Sequence, residues 1–175
     1  MKKNVCCLIC IASFLSLPTP SAAQTVDDCM VGRWSIDHGS ITSHFVIVNG
    51  AIGGGAAGDA VMEIDDVGAL DFHVKDFRIA YGNADQSEHM IVLSGVSRNS
   101  VETIDGTMSS SNQELGIEAL SDFTERGEFS PFIPSEFLGL GFLSDPSGEY
   151  TCDAKFLTLL NAREGGIPVL WRRLP

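Results

Sequence analysis

The stretch Cys29-Met30-Val31-Gly32-Arg33-Trp34 decides the fold. Its cysteine has one counterpart, Cys152, once the first two dozen residues are set aside as an export signal. A single, far-separated cysteine pair in an exported protein indicates one structural disulfide. A closed β-barrel needs such a cross-link between its first and a late strand to keep its seam together. In the chain-entropy model, a disulfide that closes a loop of this length stabilises the folded state by about 5 kcal/mol.

The N-terminus has the composition of a secretory signal peptide. Lys2 and Lys3 precede an apolar run over 5–17, and prolines and small residues lead to a predicted cleavage at Ala23–Gln24. The run is shorter than the roughly 20 residues that span a membrane. We therefore expect residues 1–23 to be removed, rather than to act as a membrane or lipid anchor. Residues 24–175 then form one domain in the periplasm or outside the cell.

The charge of the chain limits its partners. It carries 23 acidic and 11 basic side chains, a net charge of −12. Such a field repels nucleic acid and anionic membrane surfaces. A cationic secreted enzyme would instead be attracted by this charge. We expect the domain itself to be a monomer that does not span a membrane.

Alternation of apolar and polar residues, which is typical of β-strands, dominates the chain. Leu70, Phe72 and Val74 share one face, but the next apolar set, starting at Phe77, has the opposite parity. This change predicts a β-bulge near Lys75-Asp76.

Turn residues predict hairpins at 66–68 and at Asp105-Gly106. Further strands are predicted over 33–38, 45–48, 61–65, 89–96, 100–104, 107–109, 114–120, 149–160 (with a kink at 153–154) and 167–173, and 53–55 is expected to be a loop.

These strands predict an all-β fold. The expected architecture is a single antiparallel up-and-down β-barrel of about 8–10 strands, closed by the disulfide between the first and a late strand. Residues 130–148 are too apolar for an exposed connection. We expect them to fold back as a cap over one barrel end, with a turn of helix at 135–138, or to form a lid at its mouth. The lid candidates are Phe132, Phe137, Leu140 and Phe142.

Two motifs at the chain ends carry a resemblance to a known family. Gly32-Arg33-Trp34 opens the first strand and Trp171-Arg172-Arg173 closes the last. This pattern resembles lipocalin-like barrels of the calycin superfamily. The resemblance implies that Gly32 and Trp34 plug one barrel end and that Arg172 or Arg173 packs across the indole. Residues 148–152, followed by 156–159, also resemble the C-terminal part of small bacterial exported domains of this kind, in which an early cysteine pairs with one on a late strand.

No chemistry can be assigned from motifs. The histidines lack the close spacing of metal ligands, and the acidic residues at 65, 66 and 71 lack the pattern of a calcium loop. No serine lies in a nucleophile elbow, and no phosphate-binding motif follows the glycines at 53–55. We predict a non-enzymatic protein without catalytic residues, cofactor or metal. The histidines are His38, His44, His73 and His89.

The first functional hypothesis is a binding module. A barrel of this size can hold one apolar or amphipathic small molecule in its interior. The alternative is a protein-interaction barrel that inhibits a secreted protease or lysozyme, with a solid core and an acidic surface that attracts a cationic enzyme. The candidates for the ligand cavity are Ile36, Phe45, Ile47, Phe72, Val74, Phe77, Ile79, Ile91 and Leu93.

Overall fold

The computed structural model describes residues 26–85, 87–122, 128–134, 137, 139–143, 145–161 and 165–175, without the side chains of 112 and 113. The predicted signal peptide at 1–23 lies outside these ranges. Within them the chain forms nine β-strands and one α-helix, α1 (His38–Asn49). The strands are β1 (Gly32–Ile36), β2 (Gly53–Ile64), β3 (Ala69–Gly82), β4 (Glu88–Ile104), β5 (Thr107–Ser121), β6 (Ser130–Phe132), β7 (Gly148–Cys152), β8 (Phe156–Asn161) and β9 (Pro168–Arg173).

Eight strands close into an antiparallel barrel. Their order around the wall is β1-β2-β3-β4-β5-β7-β8-β9, and β9 returns to pair with β1. The short strand β6 pairs with the last residues of β5. The predicted up-and-down barrel is confirmed. Cys29 and Cys152 lie at disulfide distance, with 5.8 Å between their Cα atoms, and join the segment before β1 to the end of β7.

The bulge predicted near Lys75-Asp76 is confirmed. The register of β3 against β4 shifts between Val74 and Phe77, and that of β2 against β3 shifts between Ala57 and Asp59. Gly58 lies in the second shift with φ +96°, and a Cβ there would come within 2.2 Å of the Asp76 carbonyl oxygen. Only glycine fits at so close an approach. The bulge changes the parity of β3, so both of its apolar sets face the interior.

The hairpin predictions are also confirmed, and several predicted strands prove to be parts of longer ones. Asp105 and Gly106 have φ of 50° and 75°, as a two-residue type I′ turn requires. The strands predicted over 89–96 and 100–104 form the single strand β4, and those over 107–109 and 114–120 form β5. The kink predicted at 153–154 is the turn between β7 and β8.

The strand predictions over 33–38 and 45–48 are partly wrong. β1 ends at Ile36, and residues 38–49 form α1. Asp37 caps this helix by accepting a 2.9 Å hydrogen bond from the Ser40 N–H, and Gly50 ends it in the left-handed conformation. That hydrogen bond, followed by the Arg172 guanidinium, lowers the pKa of Asp37. Caps at both ends, with the burial of one face, select a helix despite many β-branched residues.

The loop expected at 53–55 is also absent. These glycines begin β2 and pair with residues 80–82 of β3. Gly54 has little room, because a Cβ there would lie 2.7 Å from the Ala80 carbonyl oxygen. The run of glycines therefore belongs to a strand at a place of close backbone approach.

The barrel has two unlike ends. The tight turns at 65–68, 105–106 and 153–155 gather at what we call the lower end, together with residues 26–31. At the upper end lie α1 and the connection between β5 and β7. β5 and β7 themselves pair only through Thr107 with Glu149 and Met108 with Gly148. Among the described residues, no helix is long and apolar enough to cross a membrane.

We predict that replacing both cysteines by serine lowers the free energy of unfolding by about 4–5 kcal/mol, because the cross-link spans 123 residues and restricts the unfolded chain. Urea denaturation of the oxidised protein and of Cys29→Ser/Cys152→Ser, followed by tryptophan fluorescence, measures the difference. Dithiothreitol should destabilise the parent protein by the same amount and leave the double variant unchanged. A loss below about 1 kcal/mol would contradict the prediction.

Candidate ligand site in the barrel interior

An indole and a guanidinium plug the lower end. Trp34 is fully buried, and its Nε1 donates a 2.8 Å hydrogen bond to the Met30 carbonyl. The guanidinium carbon of Arg173 lies 4.1 Å from the centroid of this indole. Arg173 also donates to the carbonyls of Val31 at 2.8 Å and Cys29 at 2.5 Å. The lower end is therefore closed by a cation–π contact, and the same guanidinium supplies hydrogen bonds to two backbone carbonyls of the segment before β1.

The two arginines of the last strand have different positions. Arg173 is the one that packs on Trp34, and a Cβ on Gly32 would lie 2.6 Å from its Nη1. Glycine at 32 thus leaves the space that the guanidinium occupies. Arg172 points outward, where its Nη2 lies 2.7 Å from Asp37 and its guanidinium carbon 5.4 Å from the Phe156 ring centroid.

Most of the predicted cavity residues are buried. Phe45 is buried from α1 rather than from a strand. Ile47 is 62% exposed on the same helix, so its predicted inward position is wrong. The reason is that residues 45 and 47 share a face in a strand but not in a helix. The remaining candidates belong to the buried cluster on the strands: Ile36, Phe72, Val74, Phe77, Ile79, Ile91 and Leu93.

The connection between β5 and β7 folds over the upper end, as expected for a cap. Phe142 lies on a 3₁₀ turn, Gly141–Leu143, and its ring centroid is 6.4 Å from Phe72 and 6.2 Å from Trp171. Phe137 stacks on Phe45 at 5.7 Å and lies 5.4 Å from Phe132.

Leu140, the fourth lid candidate, is fully buried. The helical turn expected at 135–138 falls mostly outside the described residues. The described part of the connection is thus joined to the core through its own large side chains.

Aromatic rings meet in the middle of the interior. Phe72 lies 5.8 Å from Trp171, and both contact Phe142 from the cap. Trp171, Phe72 and Phe142 are each at most 2% exposed. This set, which we call the aromatic centre, is formed by two facing strands and the cap. Its three rings are inclined to one another by 40–75°, as edge-to-face aromatic packing requires.

Polar atoms without partners border the aromatic centre. Ser97 is fully buried and Asn99 is 5% exposed, and both lie on the inner face of β4. Ser97 pairs directly with Phe72, and Asn99 pairs with Leu70. Within the described part of the chain, the Ser97 hydroxyl, both amide atoms of Asn99 and the Nε1 of Trp171 have no hydrogen-bond partner.

These four atoms, together with the Nε of Arg173 in the barrel plug, are exceptional. Most buried polar groups in folded proteins are hydrogen-bonded, and each one left unpartnered costs about 1–3 kcal/mol. Asn161, an equally buried residue of β8, shows the usual arrangement, because its Nδ2 donates a 2.6 Å hydrogen bond to the Asp145 carbonyl. On the inner face of β4, Ser97 and Asn99 could therefore form further hydrogen bonds, whereas the amide nitrogen of Asn161 on β8 already forms one.

Ser97 and Asn99 were not among the predicted site residues, because they lie between the strands predicted over 89–96 and 100–104 and because inward positions were expected to be apolar. A signal was present, since Ile91, Leu93, Ser97, Asn99 and Val101 all have the same parity and share the buried face of one strand.

Two buried tyrosines near the interior have raised pKa values. Burial, together with the Asp122 carboxylate, raises the pKa of Tyr81 to about 12. Burial, followed by its hydrogen bond to Asp27, also raises the pKa of Tyr150. Both phenols are therefore protonated at neutral pH.

The histidines are not gathered into one site. His38 Nε2 lies 2.9 Å from the Gly58 carbonyl oxygen, and His44 Nδ1 lies 3.2 Å from that of Ile167. His89 Nδ1 is 3.6 Å from Asp122, whereas His73 is exposed on β3. Among the described residues, no group of three or more histidine, cysteine or acidic side chains could hold a metal ion.

Comparisons with protein-family models, with curated proteins and with solved structures found no match to this chain. The class that the fold defines is an antiparallel, closed, eight-stranded β-barrel with one helix. The geometry described above is also compatible with a lipocalin-like barrel.

We predict that Asn99→Leu raises the free energy of unfolding by about 1 kcal/mol, because it removes two buried polar atoms that have no partner. Asn161→Leu is the matched control, and it should lower stability by about 1–3 kcal/mol because it breaks the bond to Asp145. Urea denaturation measures both variants. An equal loss in the two would show that Asn99 is satisfied in the protein.

Proposed function

We propose that this protein is an exported, non-enzymatic binding module that holds a small amphipathic molecule in the interior of its barrel. The observation that carries the proposal is the group of four unpartnered polar atoms beside the aromatic centre. Small-molecule sites combine an apolar, aromatic lining with a few polar groups that fix the ligand. A ligand that contacts the aromatic centre and bonds to Ser97 or Asn99 would compensate the cost of burying those atoms.

We also propose that the barrel is of the lipocalin-like type. The contact of Arg173 with Trp34, with Gly32 beside it, supports this assignment, since it matches the plug that the resemblance implies. In this view the lower end is permanently closed. The predicted export signal and the single cysteine pair support a location in the periplasm or outside the cell.

The upper end offers the route to the interior. Its cover consists of α1 and the connection, rather than of strands paired in the wall. Phe142 would have to move for a ligand to reach the aromatic centre from above, because its ring contacts both Phe72 and Trp171. The lid role of Phe132, Phe137, Leu140 and Phe142 is therefore part of the proposal.

Titration with the neutral fluorescent probe N-phenyl-1-naphthylamine tests the binding function. We expect its emission to rise on binding with a Kd of about 1–10 μM, and Ser97→Leu to weaken binding at least about tenfold because it replaces the hydroxyl beside Phe72 with a larger apolar side chain. Ser100→Leu, the same change at an exposed position of β4, is the control and should bind like the parent. Circular dichroism establishes that both variants are folded. Absence of binding by the parent, or equal binding by Ser97→Leu, contradicts the proposal.

A second candidate function is interaction with a cationic secreted protein, such as a lysozyme or a protease. A surface groove of about 460 Å³ at the lower end is lined by Glu63, Asp65, Asp66 and Asp71. Its one basic residue, Arg33, is already paired with Glu63 at 2.7 Å. Val67, at the tip of the adjoining hairpin, is 71% exposed. An acidic groove beside an apolar tip suits a cationic partner.

Binding of a cationic lysozyme, with inhibition of its activity, tests this second candidate. Asp66→Asn/Asp71→Asn should raise the Kd about tenfold at low salt, and salt should weaken binding by the parent protein. Glu88→Gln/Glu118→Gln makes the same change of charge outside this groove and should have a much smaller effect. If neither lysozymes nor secreted proteases bind at micromolar concentration, the candidate is rejected.

A further inference from the structure

We propose that the interior site selects a neutral head group of the carboxamide type and rejects a carboxylate or an ammonium group on the same apolar chain. This inference rests on the proposed binding function and specifies its ligand. It follows from which polar atoms the interior offers and from which charges it lacks.

The two amide atoms of Asn99 determine which hydrogen bonds a ligand must make. Asn99 offers an acceptor and a donor that are both unpartnered, so the conclusion holds for either orientation of its amide. A ligand that satisfies both atoms must itself donate and accept from adjacent positions. A carboxamide does this, because its N–H and C=O can pair with the C=O and N–H of Asn99.

The neighbouring atoms extend the same pattern. Trp171 Nε1 is a donor only, and the Ser97 hydroxyl can donate or accept. Ser97 and Asn99 are two residues apart on one strand face, so their Cα atoms are separated by about 6.6 Å. A carboxamide oxygen can accept two hydrogen bonds, one from Asn99 and one from Ser97 or Trp171.

The interior offers few groups that could balance a charge. In the described part of the chain, the buried polar residues are His44, Ser97, Asn99, Ser121 and Asn161, none of them acidic, lysine or arginine. The guanidinium of the barrel plug, Arg173, covers Trp34 and donates to two backbone carbonyls, and within the described residues its buried Nε has no hydrogen-bond partner. A carboxylate would thus have to pair with this guanidinium, which the indole and the two carbonyls hold at the lower end, or with the buried His44.

An ammonium group would meet the same difficulty. Asp27 accepts a hydrogen bond from Tyr150, and Asp145 accepts one from the Ser110 hydroxyl at 2.8 Å. Neither carboxylate belongs to the buried set. Burial of an unpaired charge is far more costly than burial of a neutral polar group.

Competition between ligands of one chain length tests the inference. Octanamide, octanoate and octylammonium are titrated at pH 7.5 against protein loaded with N-phenyl-1-naphthylamine. We expect octanamide to displace the probe with an inhibition constant at least about tenfold below those of the two charged ligands. Asn99→Leu should lower the affinity for octanamide more than the affinity for the two charged ligands and so abolish this preference, whereas Ser100→Leu should retain it.

The outcomes separate the inference from the proposed function. If the probe binds but octanoate or octylammonium displaces it as well as octanamide does, the inference is overturned and the binding function stands. Failure of octanamide to displace a bound probe, or an unchanged preference in Asn99→Leu, also overturns the inference. If the parent protein binds neither the probe nor octanamide, the proposed function itself fails.

Discussion

The contact between Arg173 and Trp34 joins the first strand, the last strand and the segment that precedes the barrel. One guanidinium covers the indole at 4.1 Å and donates to the carbonyls of Val31 and Cys29. The ladder between β1 and β9 includes only three residue pairs, so this side-chain contact reinforces a short seam. The cysteine pair lies at the same end and holds the N-terminal segment against β7. Closure of the barrel therefore depends on a few residues that are far apart in sequence.

Arg172 and Arg173 show how adjacent residues of a strand serve opposite faces. The inward residue completes the plug, whereas the outward one bridges to Asp37, which caps α1. The last strand thus fixes both the lower end of the barrel and the start of the helix that covers the upper end. Because α1 contributes Phe45 to the stack with Phe137, the position of the cap depends indirectly on Asp37.

The sequence was sufficient for the barrel and for the cap over 130–148, but not for α1. Strand alternation predicted the wall, and the parity change after Val74 predicted the bulge, because both follow from the two-residue period of a strand. The helix was missed because Ile41, Val46 and Val48 are β-branched and favour strands, so that its existence depends on the caps and on tertiary packing.

The candidate site was predictable only in its apolar half. Phe72 could be placed by alternation, but Ser97 and Asn99 could not, since polar residues are expected to face water. Which arginine covers Trp34 was also undetermined, because a sequence of two adjacent arginines does not specify which of them faces inward. In both cases the missing information lies in contacts between strands that are distant in the chain.

The short pairing between β5 and β7 has a consequence for the dynamics of the wall. Two residue pairs join these strands, whereas β4 and β5 are paired over most of their length. Native proteins open through their least stable cooperative units, and a ladder this short protects few amide protons from exchange with solvent. We therefore expect the amide protons between β5 and β7 to exchange faster than those between β4 and β5, although Ser110 of β5 also donates hydrogen bonds to Asp145 and Ser147, just before β7.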